Sequence, residues 1–226
     1  MLIFPAPFSA SGEYFIVHPF FNLASVSGCG SHMEKLLAIA VGIGLSAACG
    51  FRVFVPLLIM NLAAAGGYFQ PSPDFAWIGT PYATLAFTTA TIAEIIGYSI
   101  PWFDHVLDIV ATPAAVIAGA IVTASVLTDI SPFLKWTLAL IAGGGAAGFV
   151  QGTTVALRAT SSLSTGGMAN PVVSTIELVG AIITALLALL VPVLGIVLVV
   201  LLCFFVFSKG GRLVFGRCSG QGRFRS

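Results

Sequence analysis

The chain has 226 residues, of which 58% are hydrophobic and 8% are charged, and its mean hydropathy is +1.07. Because an ordinary soluble domain carries about 25% charged residues, this composition excludes a soluble protein and predicts a single-domain integral membrane protein. The formal net charge of +1 says little as a total, because the cations concentrate near the end of the chain. The tail 209–226 holds five Lys or Arg residues and no acid, which predicts a cytoplasmic location for it.

The first residues differ from the rest of the chain. Residues 1–32 are rich in Phe, Pro and Ser and contain no apolar run long enough to cross a bilayer. They also lack the basic start and the clean apolar core of a signal peptide. The sequence GSHM at 30–33 resembles the remnant of a cloning vector. We therefore interpret 1–32 as an N-terminal appendage, from a vector or an upstream start codon, and 33–208 as the transmembrane domain.

Six membrane segments follow in chain order, at 36–65, 80–100, 106–127, 133–157, 172–190 and 192–208. They predict an all-α polytopic bundle of membrane helices. The first segment has thirty residues, or about 45 Å as a straight helix, which exceeds a hydrocarbon core of about 30 Å. It must tilt steeply or break, and Gly50 is the predicted break point. The fourth segment is also too long, and its glycines, Gly145 and Gly148 among them, predict a second broken helix.

The connecting loops predict the orientation of the bundle. Loop 66–79 contains no Lys or Arg and is rich in Pro and aromatic residues, so we expect it outside. With six crossings, both termini then lie in the cytoplasm, and so does the loop 158–171, which contains Arg158. Lys135, beside the proposed outer end of the fourth segment, argues weakly against this orientation.

Short internal matches raise the alternative of an inverted repeat, which is common in small transporters. The matching pairs are GF at 50–51 and 148–149, and TIAEIIG at 91–97 with TIELVG at 175–180. Inverted halves should place Glu94 and Glu177 near opposite faces of the membrane. The predicted boundaries put both toward the cytoplasm, so the repeat stays an open alternative.

Arg52 is the most informative polar residue, because a cation at the centre of a spanning helix costs at least about 2.5–3.5 kcal/mol on insertion scales. A chain that keeps such a residue normally pairs it or lets it face water. The candidate partners are Glu94, Glu177 and Asp108. In one interpretation an Arg–Glu pair only fixes helix packing. In the other, the same residues line a path for a solute or a proton.

Gln151 and Thr153 lie close to the glycine-rich part of the fourth segment and are further candidates for lining such a path. One arginine does not neutralise two glutamates. At least one acid should therefore be protonated, hydrated or bonded to hydroxyl groups such as that of Thr153. This surplus of acids predicts a polar cavity.

The residues that could carry chemistry do not form a recognisable catalytic or metal-binding pattern. The sequence has no Ser-His-Asp, Cys-His or HExxH arrangement, so we predict no enzyme activity and no catalytic residues. Asp104, His105 and Asp108 could supply metal ligands, but helix capping explains the same residues. The four cysteines are widely spaced and match neither a zinc site nor a disulfide framework. We therefore predict no metal and no cofactor.

Four distinctive segments follow one another along the chain. They are ACGFRVFVPLL (48–58), IPWFDHVLDIVATPAA (100–115), LALIAGGGAAGFVQG (138–152) and TGGMANPVVSTIE (165–177). In this order they resemble an uncharacterised family of bacterial membrane proteins, the domain of unknown function 4126, over about 33–208. The resemblance implies a multi-pass protein of the bacterial inner membrane, and it implies no activity.

We expect a small transporter or channel-like permease in which Arg52, Glu94 and Glu177 line or gate the path. One alternative is a non-transporting membrane scaffold or assembly factor, in which the same charges are buried struts. The other is a lipid-translocating protein. The expected partners are the lipid bilayer and an unknown small solute or ion, with a possible homo-oligomer and no nucleic acid.

Overall fold

The computed structural model describes residues 30–100, 103–128, 130–166, 168–191, 197 and 201. Within these residues the chain is helical and contains no strand, which confirms the predicted all-α bundle. The elements in chain order are α1 (Gly30–Phe51), α2 (Phe54–Ala65), a 3₁₀ helix (Pro73–Gly79), α3 (Pro81–Ser99), α4 (Phe103–Val126), α5 (Pro132–Leu138), a π-helical stretch (Ala139–Gly144), α6 (Gly145–Thr165) and α7 (Asn170–Leu190). Nearly all of the predicted appendage 1–32, most of the predicted segment 192–208 and the tail 209–226 lie outside the described residues.

Three helical stretches are long and apolar enough to cross a bilayer, namely Val106–Val126, Pro132–Leu163 and Asn170–Leu190. Large apolar side chains such as Ile109 and Ile141 lie exposed on the outer faces of the bundle. A helix on the surface of a soluble protein would carry polar residues there. Length, composition and the apolar exterior together indicate a membrane protein.

The bundle has two ends, which we call the upper and the lower end. The upper end holds the turns that follow α2 and α4. There the Ser72 amide donates to the Ser125 carbonyl oxygen at 2.7 Å, and Lys135 forms an ion pair with Asp74 at 3.0 Å. The lower end holds the turns that follow α3 and α6. Consequently α3 and the α5–α6 helix run downward, whereas α4 and α7 run upward.

Helix α1 runs downward from the upper end and stops inside the bundle. Gly42 packs near the upper end of α4, where a Cβ on Gly42 would lie 3.1 Å from Thr123 Cγ2. About two turns later, a Cβ on Gly50 would lie 3.0 Å from the backbone nitrogen of Gln151, near the middle of the α5–α6 helix. The last residue of α1, Phe51, therefore lies well below the upper end.

Helix α2 runs back to the upper end. Its first backbone amides bond the carboxylate of Glu94, in the lower half of α3. Toward its other end, Asn61 Oδ1 accepts a hydrogen bond from Thr84 Oγ1 at 2.8 Å, near the upper start of α3. Helices α1 and α2 thus form a hairpin that enters and leaves at the upper end. The first predicted segment, 36–65, is broken as expected, but it reverses instead of crossing the bundle.

The break falls at Arg52 and Val53, two residues later than the predicted break at Gly50. Pro56 explains the position, because a proline lacks an N–H and its ring collides with the carbonyl group four residues earlier, which is that of Arg52. Gly50 remains helical and has a packing role. A Cβ there would lie 2.5 Å from the Ala147 carbonyl oxygen, so α1 and α6 approach this closely only with glycine at this position.

The second predicted break takes the form of the π-helical stretch inside one continuous helix, Pro132–Leu163. Such stretches disturb the regular helix without ending it. Gly143 lies in this stretch and packs against α4, since a Cβ on it would lie 2.6 Å from the Gly119 carbonyl oxygen. The predicted break points Gly145 and Gly148 are regular residues of α6. The fourth segment therefore crosses the whole bundle.

The fold offers no support for an inverted repeat. Glu94 and Glu177 both lie in the lower half of the bundle, and the described part of the chain contains no second pair of helices that reverses inside the bundle.

The hairpin also changes the expected orientation of the first segment. Lys35, at the start of the first predicted segment, and loop 66–79 lie at the same end of the bundle instead of at opposite ends. The orientation relative to the cytoplasm stays a prediction.

Candidate functional site

Arg52 occupies the tip of the α1–α2 hairpin, which we define as Arg52 and Val53, and it is only 1% exposed. One terminal nitrogen, Nη2, donates to the Ser174 carbonyl oxygen at 3.0 Å and also to the Ser174 hydroxyl. The guanidinium carbon lies 4.1 Å from the centre of the Tyr98 ring, a cation–π contact. The other donors, Nε and Nη1, are buried without a hydrogen-bond partner among the described residues.

Glu94 approaches the same tip from α3. Its Oε1 accepts from the Val53 amide at 2.8 Å, and its Oε2 accepts from the Phe54 amide at 3.2 Å. These amides start α2 and have no partner within that helix, so the carboxylate caps α2 and meets the positive end of its dipole. Glu94 also attracts the Arg52 guanidinium electrostatically. No direct ion pair joins the two side chains in the described part of the chain, although Glu94 was one of the three candidate partners of Arg52.

Arg158 is the second buried arginine, at 3% exposure, and it lies in the lower part of α6. Its Nε donates to Glu177 Oε1 at 3.0 Å, and its Nη2 bonds the other oxygen of the same carboxylate. Its Nη1 donates to Asp108 Oδ1 at 2.5 Å. Glu177 and Asp108 were candidate partners of Arg52, but in the structure both carboxylates bond Arg158 instead.

Sequence reasoning missed Arg158 because it was assigned to the loop 158–171. In the structure α6 continues to Thr165, and the turn is short. The sequence did contain an indication of where this helix ends. Gly166 follows its last residue directly and adopts a left-handed conformation with φ of 63°. Glycine is the usual residue at such a helix end.

Tyr98 connects the two arginines. Its ring lies against both guanidinium groups, with the Arg158 carbon 3.9 Å from the ring centre. Its hydroxyl donates to Asp108 Oδ1 at 3.2 Å. Neither Tyr98 nor Ser174 was singled out from the sequence as a partner for Arg52.

These side chains form one group, which we call the charged cluster. Its ionisable members are two arginines, three acids and a tyrosine, namely Arg52, Arg158, Glu94, Asp108, Glu177 and Tyr98. With both arginines and all three acids ionised the formal sum is −1. The second cation, Arg158, is matched by a third acid, Asp108, so the surplus of one acid that the sequence predicted is unchanged. Arg158 and the three acids come from four helices, so the cluster also holds the lower half of the bundle together.

The remaining sequence candidates lie elsewhere. Gln151 is buried beside Gly50 at the contact of α1 with α6. The Thr153 hydroxyl bonds the Phe149 carbonyl oxygen of its own helix at 2.9 Å. The side chains of Asp104 and His105 lie outside the described residues. Among the residues that are described, no three His, Cys, Asp or Glu side chains come together as potential metal ligands.

An apolar groove of about 380 Å³ lies between the upper parts of α2 and α3, away from the charged cluster. Its lining consists of Ala65, Gly79, Pro81, Thr84, Leu85 and Thr88. The groove contains no charged side chain, and it opens outward from the bundle.

Comparison with known proteins places the chain in a family. The family model for the domain of unknown function DUF4126 matches residues 39–209, about three quarters of the sequence. The chain belongs to the DUF4126 family. No curated protein and no solved structure matches it significantly. The DUF4126 match covers the hairpin and the whole charged cluster, but the family carries no assigned activity, so the function must be argued from the site.

Proposed function

We propose that this protein is a small transporter or channel-like permease of a bacterial inner membrane, and that its solute binds at the hairpin tip beside Arg52. The described conformation is the closed state, in which the protein covers the charged cluster. Opening exposes the tip to water on one side of the membrane. The cluster then supplies the polar lining that the solute needs.

The contrast between the two arginines carries this proposal. Arg158 places three of its N–H groups on two carboxylates, as a purely structural strut should. Arg52 is more deeply buried, yet its Nε and Nη1 bond nothing in the described structure. An unpaired buried donor costs about 1–3 kcal/mol, and more for a charged group. A chain that needed Arg52 only for packing would gain stability from an apolar residue there.

The hairpin supports the same conclusion. A helix that ends in the interior of a membrane leaves backbone groups without partners, and membranes tolerate such ends only inside protein or beside a cavity. Transporters use helices interrupted near the middle of the bilayer to form their binding sites. Thr91, one turn before Glu94 on α3, adds another buried hydroxyl without a partner in the described structure.

Labelling of Cys49 tests the proposal without knowledge of the solute. Cys49 is fully buried and lies three residues before Arg52 in the chain. We would replace the other cysteines, Cys29, Cys203 and Cys218, by Ser and reconstitute the protein into liposomes. A membrane-impermeant methanethiosulfonate reagent should modify Cys49 progressively, as detected by mass spectrometry, because opening brings water to the tip.

A matched control uses Cys49→Ala with Ala115→Cys, which moves the thiol to another fully buried position, in α4. This thiol should stay unmodified, since the proposed opening does not require α4 to expose it. Equal modification at both positions would indicate general unfolding. If Cys49 stays unmodified while the protein is folded, the tip never meets water and the transport proposal fails.

A membrane scaffold is the second candidate, and the Arg158 ion pairs favour it. A scaffold needs the charged cluster only as a set of struts, and Arg158, Glu177 and Asp108 have this geometry. It predicts a static tip with a protected Cys49. The same labelling experiment therefore separates the two candidates.

A further inference from the structure

The hairpin tip brings together the donors of an anion site. Helix α2 has twelve residues, and its first backbone amides, those of Val53 and Phe54, point out of the helix at the tip. The positive end of the helix dipole adds to their attraction for an anion. Arg52, directly before them, adds a full positive charge with two unused donor nitrogens, and it is buried.

Glu94 occupies this position with its own carboxylate. Each of its two oxygens accepts one backbone amide, at 2.8 Å and 3.2 Å. This is how a small free carboxylate would sit at the start of a helix. A permanent cap would also satisfy Arg52, whereas Glu94 leaves Nε and Nη1 of Arg52 without a hydrogen bond. The donor set at the tip is therefore larger than Glu94 alone uses.

We propose that the tip binds a small carboxylate anion, which replaces the Glu94 side chain on the amides of α2 and also bonds the free N–H groups of Arg52. This inference rests on the proposed transport function and names its substrate class. Glu94 acts as a tethered competitor that fills the site when the solute is absent.

Charge supports this competition. The ionised charged cluster already sums to −1, so a further anion is repelled as long as the carboxylate of Glu94 stays in place. Moving or neutralising Glu94 removes that repulsion and frees two amides at once. An isosteric amide at this position should therefore strengthen anion binding, whereas loss of Arg52 should abolish it.

The test measures the thermal stability of the purified protein in detergent with sodium formate, against sodium chloride at equal ionic strength. A ligand that binds only the folded state stabilises it by RT ln(1 + c/Kd), where c is the ligand concentration, so Tm rises with the ratio of the ligand concentration to Kd. We expect formate to raise the Tm of the wild type more than chloride does. Glu94→Gln should bind formate about tenfold more tightly, which corresponds to about 1.4 kcal/mol. Arg52→Gln should remove the formate effect.

Lys135→Gln is the matched control, because Lys135 is a largely buried cation at the upper end and bonds Ser72 and Asp74 away from the tip. It should keep the wild-type response to formate. If Arg52→Gln fails to fold, the comparison of Glu94→Gln with the wild type decides alone. The proposal is overturned if formate raises the Tm of neither the wild type nor Glu94→Gln more than chloride does. It is also overturned if Lys135→Gln abolishes the effect of formate on Tm.

Formate should also slow the modification of Cys49 in liposomes. Modification of Cys49 that formate does not slow, together with no effect of Glu94→Gln, would leave the transport proposal intact and contradict the carboxylate assignment. A Cys49 that is never modified contradicts transport itself. The two failures are therefore distinguishable.

Discussion

Arg158 and Glu177 meet through two side-by-side hydrogen bonds that join the lower end of α6 to the lower end of α7. Two bonds to one carboxylate fix both the distance and the orientation of the groups. Asp108 of α4 adds a third bond to the same guanidinium, so three helices meet at one side chain. These bonds hold α4, α6 and α7 together beside Arg52, whose Nε and Nη1 have no hydrogen-bond partner in the described structure.

Removing one member of this strut should destabilise the protein strongly. We expect Arg158→Met to lower the free energy of unfolding by about 3–5 kcal/mol, because it leaves Glu177 buried without its partner. The double variant Arg158→Met with Glu177→Leu should recover part of this loss, since it removes the buried charge of Glu177 and only Asp108 still loses its bond to Arg158. Reversible unfolding in mixed micelles measures both.

The control for this prediction is Lys135→Met. Its ion-pair partner Asp74 is 79% exposed, so water screens the lost interaction, and we expect a change of about 1 kcal/mol or less from the ion pair. A loss from Lys135→Met as large as that from Arg158→Met would contradict the assignment of Arg158 as the central strut.

The contact between α4 and the α5–α6 helix should tolerate no side chain at Gly143. A Cβ there would lie 2.2 Å from Thr123 Oγ1 and 2.6 Å from the Gly119 carbonyl oxygen. Gly143→Ala should therefore cost about 1–3 kcal/mol in the free energy of unfolding, as overpacking does. Gly145→Ala is the matched control, because a Cβ there meets nothing within 4 Å and alanine favours a helix by up to about 1 kcal/mol. Equal losses in both variants would exclude the close helix contact as the cause.

Ser46 should stabilise the contact of α1 with α4 through its hydroxyl group. Its Oγ donates to the Gly119 carbonyl oxygen at 2.6 Å and lies 2.7 Å from Thr123 Oγ1. Hydrogen bonds between membrane helices contribute about 0.6 kcal/mol on average and at most about 1.7, so we expect Ser46→Ala to cost an amount in that range. A double-mutant cycle with Thr123→Val should show positive coupling between the two hydroxyl groups. Additive losses would mean that they do not interact.

The sequence predicted the all-α class and the deep position of Arg52 because both follow from local composition. It placed the break within two residues of Arg52, and the proline that explains the shift, Pro56, was visible. It did not predict that the chain reverses there. A hydropathy pattern measures how apolar a segment is and carries no information on the direction in which the next helix leaves.

The partners within the charged cluster could not be predicted for a different reason. Glu94, Glu177 and Asp108 were recognised as acids near Arg52, but pairing depends on which helix faces meet. Arg158 was missed because the polar, glycine-rich stretch 158–171 predicted a loop, whereas α6 continues into this stretch up to Thr165. With Arg158 buried, Glu177 and Asp108 pair with it instead of with Arg52.

The reversal of the chain at Arg52 is the central claim, and side-specific labelling of single cysteines tests it most directly. Three exposed positions serve as reporters, namely Leu36 on α1, Tyr68 after α2 and Met168 in the turn between α6 and α7. In sealed vesicles of known orientation, an impermeant thiol reagent should modify Leu36→Cys and Tyr68→Cys from the same side and Met168→Cys from the opposite side. Modification of Leu36→Cys and Tyr68→Cys from opposite sides would mean that 36–65 crosses the membrane, and would contradict both the hairpin and the site at its tip.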